Sequence, residues 1–99
     1  MSTHGTTHVD APWHYAPTCA GRSARTVDQL PLEWFHAPGV KLDMREHPEE
    51  RPLSVADFEA ALAKIGHGLQ PGEIVLVQTG VDRLLGSRQY FHQGPGVSA

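Results

Sequence analysis

The chain has 99 residues, an apolar share of 39% and a net charge of −3, which allow one small domain with a marginal core. Its eight Lys and Arg are scattered and outnumbered by eleven Asp and Glu, so no basic stripe points to a nucleic-acid partner. No apolar run approaches the ~20 residues of a membrane-spanning helix, the start Met1-Ser2-Thr3-His4 is no signal peptide, and the lone Cys19 excludes an internal disulfide and suits a reducing cytoplasm.

The first element is also the richest in chemistry. Between His4 and His14 lie three imidazoles, His4, His8 and His14, and the carboxylate of Asp10. Neutral imidazole and carboxylate are ligands of zinc, manganese and related divalent ions. Gly5, the β-branched Thr6, Thr7 and Val9, and Pro12 all oppose a helix here, and no Glu follows His4, so the H-E-x-x-H arrangement is absent. An extended segment puts the even-numbered residues on one face, with the Cα atoms of His8 and Asp10 about 7 Å apart. A bend at Gly5 would bring His4 to the same ion. The expectation is a kinked strand ended by Pro12, with His4, His8 and Asp10 as metal ligands and His14 over the open side. Three ligands leave a vacant position, where a water would be acidified and His14 could take or deliver a proton. The alternative is a frayed terminus of solvated histidines.

Farther along, the loop from Ala16 to Asp28 is a candidate cover for this cluster. Its Arg22 and Arg25 could bind a carboxylate or simply solubilise. Trp13 could stack on an aromatic substrate, shield the metal or sit in the core. Val40 to Met44 alternates as a short strand, and Glu46 to Pro52 reads as a charged loop. Ser54 then opens the clearest helix, to about Ile65. Asp57 is the acidic partner of a capping box, Leu53 can pack on Phe58, and Val55, Phe58, Leu62 and Ile65 share an apolar face. Gly66 and Gly68 end it, with His67 as a cap or solvated residue. Ile74 to Val77, after the turn Pro71-Gly72-Glu73, suits a strand buried on both faces. Gln78, Thr79 and Asp82 at its end could line a pocket or form an ordinary turn. Pro95 to Ser98 reads as a turn entering a helix. His36, His47 and His92 are isolated in loops and are expected at the surface.

The string His4-Gly5-Thr6-Thr7-His8-Val9-Asp10-Ala11-Pro12-Trp13-His14 resembles the H-x-G-T-H-x-D-x-P-x-H signature of the putative cyclase family, which includes bacterial kynurenine formamidase and isatin hydrolase. The ligand spacing is kept, while Gly5 and Thr6 depart from the commoner order. Pro71 to Asp82 resembles the family's P-G-D-x-V-L-x-x-T-G segment. The resemblance implies an α/β fold of the swivelling β/β/α kind, metal ligation by His4, His8 and Asp10, and acid/base catalysis by His14. It also implies a Zn2+ or Mn2+ cofactor and hydrolysis of a small-molecule amide, by default N-formylkynurenine. Isatin-like cyclic amides and a non-catalytic metal-binding remnant are the rival readings. A second copy of the chain is the candidate protein partner. Family members extend beyond both ends of the matching region, so residues 1–99 are expected to be a partial domain, without the later His and Glu that the resemblance adds to the metal centre.

Overall fold

Pro12 starts a helical turn instead of ending a strand. A proline has no amide hydrogen to lose and a preset φ, so the first position of a helix suits it. The structure, a computed structural model, describes residues 7–98. His4 and Gly5 therefore lie outside the described residues. The chain divides into two compact units, Met1–His36 and Ala37–Ala99.

In the first unit, residues 8–11 run without strand pairing into the one-turn helix α1, Pro12–Tyr15. The expected strand is not formed over these residues, because no ladder partner lies beside them among the described residues and Pro12 turns the backbone. The Ala16 N–H closes the turn on the Pro12 carbonyl at 3.3 Å. A hairpin follows, with β1 (Thr18–Cys19) antiparallel to β2 (Arg22–Ser23). Thr26 then opens a 3-10 turn at Val27–Gln29: its N–H donates to Gln29 Oε1 at 3.1 Å, and its hydroxyl donates to Asp28 Oδ1 at 2.6 Å. A second 3-10 turn spans Leu32–Phe35. The Arg25 guanidinium lies 5.3 Å from the centre of the Trp34 ring, a cation–π contact that ties this turn to the segment after β2.

In the second unit the alternation of apolar residues does form a strand. Strand β3 (Gly39–Asp43) turns Val40 and Leu42 inward, and Met44 continues the pattern just beyond it. Helix α2 (Val55–Ile65) follows, and β4 (Ile74–Gln78) returns parallel to β3, with Val40 opposite Val75 and Leu42 opposite Val77. Val40, Leu42, Met44 and Leu53 form the core, packed on by Phe58, Ala61, Leu62 and Val75. Burying a side chain such as Leu42 or Leu53 contributes about 1.5–3 kcal/mol. The architecture is thus mixed α/β, with short strands and one long helix.

Several expectations need correction in this unit. The buried face of α2 is Phe58, Ala61 and Leu62, while Val55 and Ile65 are exposed, since only the middle of the helix lies over the two-stranded sheet. Strand β4 is not buried on both faces. Leu76 remains 56% exposed, because β3 is its only strand neighbour among the described residues and the core packs on one face. Val97 does not begin a helix; it bridges Leu53 in parallel, with Leu53 N–H donating to the Gly96 carbonyl at 2.7 Å and Ser98 N–H to the Leu53 carbonyl at 2.9 Å.

The ends of α2 are built as the sequence suggested. Asp57 Oδ2 accepts from the Ser54 N–H at 2.8 Å and its hydroxyl at 2.6 Å, and Gly66 closes the helix at φ 66°. Arg51 adds a bidentate pair to Asp57, at 2.9 and 2.7 Å. This guanidinium, together with the Ser54 bonds, holds the Asp57 carboxyl well below the usual carboxylate range. His47 is not a surface residue: its side chain is only 6% exposed. Its Nε2–H donates to the Arg51 carbonyl at 2.8 Å, and its Nδ1 accepts from Arg51 Nη2 at 3.2 Å. His67 caps the helix, its N–H donating to the Leu62 carbonyl at 3.0 Å, and its partly exposed ring makes a further contact. Its Nε2 lies 2.9 Å from both Glu73 carboxylate oxygens, and this contact lowers the Glu73 carboxyl below its ordinary value. His36 and His92 are exposed, as expected. Among the described residues, no helix is long and apolar enough to cross a membrane.

Candidate active site

The segment leading into α1 brings two of the expected ligands together. His8 Nε2 stands 3.4 Å from Asp10 Oδ2. Two ligand atoms each ~2.0–2.1 Å from one tetrahedral zinc would be separated by roughly 3.3–3.4 Å, so this nitrogen–oxygen pair has the spacing a shared divalent ion requires. The donor types, imidazole and carboxylate, are those zinc and manganese accept. His4, the third expected ligand, lies outside the described residues. Among the described residues no group of three His, Cys, Asp or Glu side chains is gathered for a metal.

His14 and Trp13 belong to the same place. With His8, Asp10, Thr26 and Val27 they line a concavity of about 330 Å3, within the size range of small-ligand pockets. Helix α1 sets their positions. The His14 N–H donates to the Ala11 carbonyl at 2.9 Å, and the His14 ring meets Tyr15 edge-on with centroids 5.1 Å apart. Trp13 N–H donates to the Arg25 carbonyl at 3.1 Å, which anchors the turn to the segment beyond the hairpin. Trp13 is 59% exposed, so it is a wall of this concavity and not a core residue.

The loop from Ala16 to Asp28 contributes through its last residues only. Thr26 and Val27 line the concavity, whereas Arg25 points its guanidinium at Trp34. Neither Thr26 nor Val27 stood out by residue type. The available signal was the Thr26-x-x-Gln29 spacing, a helix-start pattern that places the following residue at a fixed angle to the chain.

Within the second unit, Gln78, Thr79 and Asp82 line a concavity of about 390 Å3 together with Lys41 and Tyr90. Lys41 Nζ donates to Gln78 Oε1 at 3.0 Å, a bond across the parallel pair of strands. The strand end thus lines a pocket, though no ligand-binding cluster of the imidazole–carboxylate kind accompanies it among the described residues.

One concavity thus holds a histidine–aspartate pair and a second histidine. The putative cyclase family matches residues 1–99, and the chain belongs to it. It is 35% identical over 79 residues to a kynurenine formamidase of Salinibacter ruber (strain DSM 13855 / M31), an alignment covering 74% of this chain and 35% of that protein. The chain therefore spans about a third of the length of that curated relative. No solved structure matches it.

Proposed function

We propose that this chain carries the metal-binding and acid/base portion of a metal-dependent hydrolase of carbon–nitrogen amide bonds, arylformamidase-like, with N-formylkynurenine as the default substrate and the cytoplasm as its setting. The observation that carries the reading is the 3.4 Å pair of His8 Nε2 and Asp10 Oδ2 in one concavity with His14. The family membership and the similarity to a kynurenine formamidase support it.

His8 and Asp10, with His4, would hold a Zn2+ or Mn2+ ion. Such an ion supplies a Lewis acid that polarises a carbonyl and makes a water acidic near neutral pH. His8 contributes a neutral nitrogen donor, and Asp10 a negative charge that offsets part of the ion's own. His14, on a different element from the ligand pair, holds a proton at its imidazole and delivers it to the leaving amine, so that the amine departs neutral. Trp13 presents an apolar face that excludes water from one side of the amide.

Metal content and formanilide hydrolysis of purified wild type, His8→Ala, Asp10→Ala and His14→Ala test the reading together. About one divalent ion per chain is expected in wild type and in His14→Ala, with much less in the other two. Hydrolysis should fall in all three variants, by about 10²–10⁴-fold in His14→Ala. Wild-type activity in His8→Ala would sink the assignment.

A further inference from the structure

The concavity that holds Trp13 is also lined by Val27, a residue to which no role has been attached. We propose that Val27 is a specificity-determining residue, the wall that limits the bulk of the aromatic ring a substrate can carry beside the amide; this rests on the hydrolase reading of the same site.

Three features of the structure support the assignment. First, Val27 lines the concavity together with Trp13, His8, Asp10 and His14, and the rest of the apolar lining is Val9 and Ala11. Val27 is 59% exposed despite being aliphatic, so its side chain is accessible and contributes little to a core.

Second, its backbone is held from both sides. Before it, the Arg25 carbonyl accepts the Trp13 N–H at 3.1 Å, and the Arg25 side chain is fixed on Trp34. Around it, the Thr26 hydroxyl and N–H reach past residue 27 to Asp28 and Gln29. The Leu30 N–H closes the 3-10 turn on the Val27 carbonyl itself at 3.3 Å. Residue 27 is thereby set in register with the α1 residues that carry Trp13 and His14. A wall can discriminate by size only if it does not yield, and this one is tied to Trp13 through the Arg25 carbonyl.

Third, the chemistry of the pair is complementary. A β-branched side chain with few rotamers shares the lining with an indole, so the room left for a ring beside that indole depends on the size of residue 27. Thr26 adds no free donor to that slot, since its hydroxyl hydrogen already goes to Asp28. The discrimination made here is therefore one of volume.

The test uses aniline and 4-tert-butylaniline, the amine parts of two candidate formanilides, so binding is read without turnover. Their dissociation constants are measured on zinc-loaded wild type, Val27→Ala and Val27→Phe from the shifts of the tryptophan indole N–H signals. The chain has two tryptophans, Trp13 and Trp34. Val27→Phe should weaken 4-tert-butylaniline relative to aniline by about tenfold or more, and Val27→Ala should move the ratio the other way; pocket discrimination by one or a few methylenes is of that size. Far-UV circular dichroism of each variant reports folding, and two substitutions of opposite volume guard against a misfolded one. An unchanged ratio across the three proteins, or no binding of either amine to wild type, overturns the assignment. Size-dependent binding with no hydrolysis of formanilide would leave Val27 as the wall and overturn the hydrolase reading instead.

Discussion

Ala20 carries a local strain that the rest of the first unit tolerates. It sits at φ 50° beside Gly21 at φ 74°, between the paired residues Cys19 and Arg22. Two positive φ values in a two-residue loop are what a type I′ hairpin turn requires, and a Cβ is disfavoured there. Ala20→Gly should therefore raise stability by about 1 kcal/mol, read as a higher urea midpoint with an unchanged slope. The two residues at the heart of the site behave differently. His8 and Asp10 are two apart in the chain, so their 3.4 Å approach needs no distant element to bring them together. Their substitution should remove metal without shifting the helical signal of α2, which lies in the other unit. An equal loss of helix in His8→Ala would contradict that separation of roles.

At the scale of elements, α2 depends on its two ends. Gly66 holds the left-handed closing position, so Gly66→Ala should cost about 1 kcal/mol in a denaturant titration. The opening end is governed by charge. Arg51, then Ser54, stabilise the ionised Asp57, whose folded-state pKa lies below its unfolded value of about 3.9. A depressed carboxyl gives stability that is fully present above the unfolded pKa and is lost as pH falls toward the folded one. Wild type should thus lose helix stability progressively below about pH 4, and Asp57→Asn should show a weaker dependence over that window because its side chain does not titrate. Equal acid slopes in the two proteins would remove Asp57 as the source. Arg51 links this cap to the nearly buried His47, so the charged loop of Glu46 to Pro52 is pinned to the start of the helix.

At the scale of the molecule, the second unit rests on a small core. Leu42 is 1% exposed between the sheet and α2, and Leu42→Ala should cost about 2–5 kcal/mol by lost burial and the cavity left behind. With so few buried residues that loss should abolish the cooperative unfolding of α2, followed by circular dichroism. If the proposed ion is bound, chelation should act on the other unit. Both tryptophans lie within Met1–His36, so a metal-dependent change in their fluorescence would report the ordering of that unit by the ion, and no change on addition of zinc would argue against a bound ion there.

The sequence alone determined the elements whose signals are local. The capped helix from Ser54, the alternating strand at Val40 to Met44 and the His8–Asp10 pair depend on residues two to four positions apart, and each is present. Tertiary structure decided the rest, because those features depend on what lies alongside in space. Whether Pro12 ends a strand or starts a helix depends on a neighbouring ladder, and among the described residues none is beside residues 8–11. The apolar run of β4 cannot say how many faces will be covered, and here one face stays open. Val27 lines the concavity beside Trp13, whose amide bonds the Arg25 carbonyl, a backbone contact between residues twelve apart that carries no side-chain signature.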